Sequence, residues 1–137
     1  MEKFRFGLVG YGKVAELHAR ALATSGNSTL VSVCGRDPKK REAFALRHGI
    51  SACGSIGEMV AKEKVEAVLI VTPHPTHKQI AVEAAEAGCH VLVEKPMALS
   101  VADCDAMIAA SAAAGKSLGV ISQRRWYPSV RRIRYAI

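Results

Sequence analysis

Short runs rich in Val, Leu and Ile recur along this chain with helix-length segments between them, and this alternation constrains the fold more than any other feature. Phe4–Val9, Leu30–Cys34, Ala67–Val71, His90–Val93 and Leu118–Ser122 are such runs, each four to six residues long. They are the pattern of strands covered on both faces. The segments between them open with helix-start chemistry: Asp37 before Pro38, and Ser55 with Glu58, Thr76 with Gln79 and Ser100 with Asp103 at capping-box spacing. Gly49, Gly88 and Gly115 stand where those helices should stop. Strands alternating with helices require right-handed crossovers, hence a Rossmann-type, doubly wound parallel α/β sheet of order 3-2-1-4-5-6. Its short third strand is expected near Ile50–Ala52. Ala43, Phe44 and Leu46 of the second helix, and Ile80, Ala84, Met107 and Ile108 of later ones, are expected to face the sheet, with Lys39, Lys40, Arg41 and Arg47 in water.

A chain of 137 residues, half of them hydrophobic, fits one domain with a substantial core. No stretch approaches the ~20 continuous apolar residues of a membrane span. The start, Met1-Glu2-Lys3-Phe4-Arg5, leads directly into a strand pattern rather than a signal peptide, so a soluble, cytoplasmic protein is expected. Cys34, Cys53, Cys89 and Cys104 form no Cys-x-x-Cys pair and sit among apolar or small residues, which reads as reduced, buried thiols. Five of the seven excess positive charges come from Arg124, Arg125, Arg131, Arg132 and Arg134, and no acidic residue follows Asp105. A surface that normally meets another part of the protein accounts for this basic end, with Trp126 and Tyr127 as interface residues; a nucleic-acid partner is not expected.

The first strand runs into Gly10-Tyr11-Gly12-Lys13-Val14-Ala15, a G-x-G-x-x-A sequence that opens a helix. In the dinucleotide-binding turn the first glycine makes the tight bend, the second lets the backbone approach the pyrophosphate, and the third position permits close helix–strand packing. The helix N-terminus then faces the phosphates. At the end of the second strand, NAD enzymes usually carry an acid for the ribose 2′-hydroxyl, but this chain reads Cys34-Gly35-Arg36-Asp37. Gly35 takes the acid's position, and Arg36, helped by Lys39 or Lys40, has the charge to hold a 2′-phosphate. NADP is therefore the expected cofactor; NAD is the alternative if Asp37 turns back to the ribose.

After the fourth strand, Thr72-Pro73-His74-Pro75-Thr76-His77 is a loop stiffened by two prolines. Thr72, Pro73, His74 and His77 are expected to border the nicotinamide half of the cofactor. His74 and His77 are three apart, but no third ligand accompanies them, so no metal is expected. His18, His48 and His90 have no comparable context and are assigned to packing or surface.

The fifth strand ends in Glu94-Lys95-Pro96. In an open parallel sheet ligands bind outside the carboxyl ends of strands, so Lys95 emerges where chemistry is expected. Alcohol oxidation needs a hydride acceptor and removal of the hydroxyl proton, and the reverse needs a donor that polarises the carbonyl. Lys95 suits the proton-handling part, in a relay rather than alone, and an ion pair with Glu94 would oppose it by favouring the charged amine.

Together, the strand-linked G-x-G-x-x-A, Thr72-Pro73 with His77, Glu94-Lys95-Pro96 followed by Met97-Ala98-Leu99-Ser100, and Gln123-Arg124-Arg125 resemble the N-terminal half of the Gfo/Idh/MocA oxidoreductases. The resemblance implies an NAD(P)-dependent dehydrogenase or reductase acting on a sugar, a cyclitol or a related hydroxyl-bearing small molecule. It gives Lys95 contact with the reacting oxygen and the cofactor ribose, makes Glu94, Pro96 and Gln123 border the cofactor, and suggests a cis bond at Pro96. Family enzymes continue into a second α+β domain that covers the pocket and supports homo-oligomers. This chain is expected to hold residues 1–122 as the cofactor domain and 123–137 as the start of a linking segment, and to be inactive alone. A non-catalytic dinucleotide sensor or co-regulator is the second functional class.

Overall fold

The structure, a computed structural model, describes residues 3–136. Met1 and Glu2, read above as part of the chain's start, and Ile137, read as the end of the linking segment, lie outside them. Strands β1 (Phe4–Val9), β2 (Ser28–Cys34), β3 (Ser51–Cys53), β4 (Ala67–Ile70), β5 (His90–Val93) and β6 (Leu118–Val120) alternate with helices α1 (Lys13–Thr24), α2 (Pro38–His48), α3 (Ile56–Glu63), α4 (His77–Glu86) and α5 (Val101–Ala113); α6 (Pro128–Ala136) follows β6. The sheet is parallel, in the order β3-β2-β1-β4-β5-β6. The third strand lies one residue further along than the sequence suggests, and the sixth ends two residues earlier, at Val120.

Alternation along the strands divides the core between the two faces. Leu8, Val33 and Leu69 point to the face where Ala15, Ala19, Phe44 and Ala45 bring in α1 and α2. Val9, Val68, Ile70, Val91 and Val93 point to the other, against Ile56 and Met59 of α3, Ala81, Ala84 and Ala85 of α4, and Met107 of α5. The predicted caps hold at three helices: Asp37 accepts from Lys40 N, Ser55 from Glu58 N and Ser100 from Asp103 N. Gly49, Gly88 and Gly115 have φ of 62°, 83° and 65°, the left-handed turn that ends a helix.

Thr76 does not cap α4 with its side chain. A 3-10 turn, His74–Thr76, runs straight into α4, so Thr76 has near-helical backbone (φ −97°, ψ −9°) instead of the extended form a cap needs. Its Oγ1 instead lies 2.7 Å from both Thr72 Oγ1 and Pro73 O. On α2 the inward face also differs from expectation. Starting at Pro38, the helix turns Arg41, Phe44, Ala45 and His48 inward at i, i+3, i+4, i+7 spacing, leaving Ala43 and Leu46 exposed. The same geometry buries Met107 and Ser111 on α5 and exposes Ile108. Cys34, Cys53 and Cys89 are buried free thiols, while Cys104 is only partly covered. Burial pushes the three buried thiols above the ordinary range. Among the described residues no helix is long and apolar enough to cross a membrane.

Candidate active site

One row of four backbone hydrogen bonds continues the sheet past its strands and sets five loops side by side. Gly10 N donates to Cys34 O, Val71 N to Val9 O, Glu94 N to Ile70 O and Ile121 N to Val93 O, all within 2.9–3.0 Å. The loops carrying Gly10–Ala15, Gly35–Arg36, Thr72–His77, Glu94–Pro96 and Gln123 therefore share the carboxyl edge of the sheet. A groove of about 790 Å3 lies at the opposite edge among Phe4, Arg5, Asn27, Lys64 and Glu66. It holds none of these residues, and the strand ends, not the groove, mark where an open α/β sheet takes its ligand.

The turn into α1 fits a dinucleotide. Gly10 has φ of 109°, and a Cβ there would meet Val71 O at 3.0 Å, so both backbone and space demand glycine. Ala15 is fully buried against the sheet, and a larger residue would push α1 away. At Gly12 a Cβ would meet nothing within 4 Å, and no side chain caps the helix there. The first amides of α1, at Lys13 and Val14, thus face open space with the positive end of the helix dipole behind them, which is what a pyrophosphate requires.

At the end of β2, Arg36, Lys39 and Lys40 are exposed. Asp37 spends its Oδ1 on Lys40 N at 3.2 Å, directing the carboxylate to the α2 N-terminus. Arg41, expected in water, turns back: its Nη1 donates to Gly35 O at 3.0 Å. Tyr11 reaches over the same spot, with its hydroxyl accepting from Asp37 N at 2.8 Å.

His77 is fully buried, and its ring nitrogens lie 2.9 Å from Pro96 O (Nδ1) and 2.9 Å from Thr72 O (Nε2). It ties the Thr72 loop to the Lys95 turn and leaves neither ring nitrogen free for a cofactor. Its ring stacks edge-on with exposed His74 at 5.6 Å. Pro73 and Gln123 are exposed and Thr72 is half-buried. Among the described residues no three His, Cys, Asp or Glu side chains converge.

Lys95 is exposed at the end of β5, and its peptide bond to Pro96 is cis. The ion pair with Glu94 that the sequence allowed does not form. Glu94 accepts from Lys95's own backbone N at 3.0 Å through Oε2, while Oε1 lies 2.8 Å from His18 Nε2. The ammonium of Lys95 has no ion-pair partner among the described residues. His18, read from the sequence as packing or surface, is thus the link from the dinucleotide helix to the lysine turn. The signal was present: His18 follows Ala15 by three, one turn along α1 from the residue that pins this helix to the sheet. His48 and His90 do pack, His48 against Phe44 and on Glu16, and His90 beside Phe4 while accepting from Ser117 N.

The profile described as "Oxidoreductase family, NAD-binding Rossmann fold" (GFO_IDH_MocA) matches residues 4–122. The chain is 30% identical to D-apiose dehydrogenase of Paraburkholderia graminis, over 100% of this chain and 37% of that protein. It is 32% identical to inositol 2-dehydrogenase of Rhizobium meliloti, over 97% of this chain and 40% of that protein. Among solved structures, the WlbA dehydrogenase from Bordetella pertussis, in complex with NADH and UDP-GlcNAcA, superposes with a TM-score of 0.93 at 34% identity, covering 98% of this chain and 42% of that one. The chain thus spans about two fifths of the length of such relatives. It belongs to the Gfo/Idh/MocA oxidoreductase family and carries that family's NAD-binding Rossmann fold.

Proposed function

We propose that this chain is the cofactor-binding part of a dehydrogenase or reductase that acts on a hydroxyl or carbonyl of a sugar, a cyclitol or a related small molecule. One observation carries the reading: an uncapped helix N-terminus at Gly12 and the Lys95 ammonium, which has no ion-pair partner among the described residues, stand on the same edge of one sheet. The bound nicotinamide supplies the hydride acceptor or donor. Gly10, Gly12 and the first turn of α1 hold the pyrophosphate, and Thr72 and Pro73 border the nicotinamide side. Lys95 orients the reacting oxygen and passes its proton on, while Glu94, held by His18, fixes the lysine's backbone rather than neutralising its charge. The names of two relatives, D-apiose dehydrogenase and inositol 2-dehydrogenase, and the UDP-GlcNAcA bound in the WlbA dehydrogenase structure support a polyol or sugar substrate.

NADP is the cofactor this reading favours, because position 35 has no acid, Asp37 is engaged at α2, and Arg36, Lys39 and Lys40 are exposed beside it. The WlbA dehydrogenase structure carries NADH, so equal or tighter NAD binding by this chain removes that preference. We assign residues 1–122 to the cofactor domain and 123–137 to a segment leading onward. Turnover assays with a sugar and polyol panel, on the protein with its full natural length, test the reaction. Lys95→Ala is expected to keep cofactor affinity within about twofold and to lower kcat by at least about 100-fold, the range of lost acid–base catalysis; undiminished turnover refutes the role of Lys95. Cofactor binding with no turnover on any substrate favours a sensor instead.

A further inference from the structure

The end of β2 holds a contact that the dinucleotide motif does not require. A Cβ on Gly35 would lie 2.0 Å from Tyr11 Cε1, 2.8 Å from Cδ1 and 2.9 Å from Cζ. Gly35 is not among the residues of positive φ, so conformational freedom is not why glycine stands there. Space is the reason: the phenol ring fills the volume that any side chain at position 35 would enter. The ring is anchored at both ends, at its root by the Gly10–Gly12 turn and at its tip by the 2.8 Å bond from Asp37 N. It is half-buried against the cluster of Leu8, Val33 and Phe44. Beneath it, Arg41 holds Gly35 O, and its Nε is buried without a partner.

We propose that Tyr11 determines cofactor specificity by excluding an acidic side chain from position 35. The inference rests on reading the end of β2 as the adenosine end of the cofactor site. An acid at that position accepts the ribose 2′-hydroxyl and repels a 2′-phosphate. With Tyr11 in place no such acid fits, and the carboxylate two residues on, Asp37, is held at the α2 N-terminus. The ribose is left to the face of Tyr11 and to Arg36, with no carboxylate at position 35 to oppose a phosphate. Replacing glycine alone therefore does not create an NAD-type site. The phenol has to leave as well, because a side chain at 35 and the ring at 11 compete for the same volume.

The test is a mutant cycle on the full chain: parent, Gly35→Asp, Tyr11→Ala/Gly35→Asp and Tyr11→Phe/Gly35→Asp. Each is titrated with NAD and with NADP by calorimetry and melted by circular dichroism. G35D and Y11F/G35D are expected to melt below the parent and to bind both cofactors more weakly. Y11A/G35D is expected to recover melting temperature relative to G35D and to shift the NAD-to-NADP affinity ratio at least tenfold toward NAD. An unchanged melting temperature in G35D, with a ratio shift as large as in the double variant, overturns the proposal. So does a double variant with no shift. If G35D does not fold, folding restored by Y11A reads the same competition, and failure to restore it counts against it. A parent that binds neither cofactor sinks the functional reading and the specificity role together, whereas a parent that prefers NAD sinks only the NADP preference and leaves the ratio shift to decide Tyr11.

Discussion

Replacing His77 by leucine isolates what holds the lysine turn in place. The two side chains have similar size, so at this fully buried position the exchange opens little cavity and chiefly removes hydrogen bonds. Thr72 O and Pro96 O, each 2.9 Å from a ring nitrogen, face that leucine. A neutral imidazole donates through one nitrogen, so at least one carbonyl loses its donor. A buried group left unsatisfied costs about 1–3 kcal/mol, and with one donated bond lost a loss of about 2 kcal/mol is expected. At about 4 °C per kcal/mol for a chain of this size, the melting midpoint should fall by about 8 °C. Thermal unfolding followed by circular dichroism reads this directly, with His77→Gln as the control, because its amide can still donate to one carbonyl and should recover part of the loss. A His77→Leu midpoint within about 2 °C of the parent would refute the assignment of His77 as the tie between the two loops.

Two further outcomes follow from other contacts. Glu16 is held below the ordinary carboxylate range, first by its hydrogen bond from Arg47, against an opposing push from burial and with further help from His48. Its lowered folded value means the contribution is complete above the ordinary value of 4.5 and is lost as pH falls through the folded value. Arg47→Gln should therefore cost about 0.5 kcal/mol at pH 7, as exposed pairs do, with the gap to the parent closing below about pH 4.5 in urea titrations; a gap that persists in acid contradicts it. His18→Ala should free the Glu94 carboxylate that accepts the Lys95 amide, so amide hydrogen exchange at Lys95 should quicken about fivefold for a loss of about 1 kcal/mol. An unchanged exchange rate would remove His18 from the support of that turn.

Much of the molecule is decided by interactions between near neighbours, and those were legible. Strand runs, the Asp37-Pro38 start, the Ser55 and Ser100 caps and the Gly49, Gly88 and Gly115 stops all act within a turn or two of chain. From them the order β3-β2-β1-β4-β5-β6 follows, because right-handed crossovers leave few other arrangements. That order in turn places Gly10, Thr72 and Lys95 along one edge. The misread positions have physical causes of the same scale: on α2 and α5 the inward stripe lies a residue or two from where composition suggests, and an apolar Leu46 or Ile108 can be left in water once better-placed residues fill the core.

What tertiary structure decided is which side chains meet. His18 and Glu94 are 76 residues apart, and nothing local tells a histidine on one helix that a carboxylate from another strand will arrive beside it. Tyr11 against Gly35 and His77 between two carbonyls likewise exist only after β1, β2, β4 and β5 are aligned. The sequence by itself determined the sheet, the dinucleotide turn and the emergence of Lys95 at a strand end, because each rests on periodicity, caps and turns. Only the packed sheet determined that Glu94 serves the lysine's backbone instead of its charge, and that the end of β2 is closed by an aromatic ring, because both depend on distances set by strand pairing rather than by spacing along the chain.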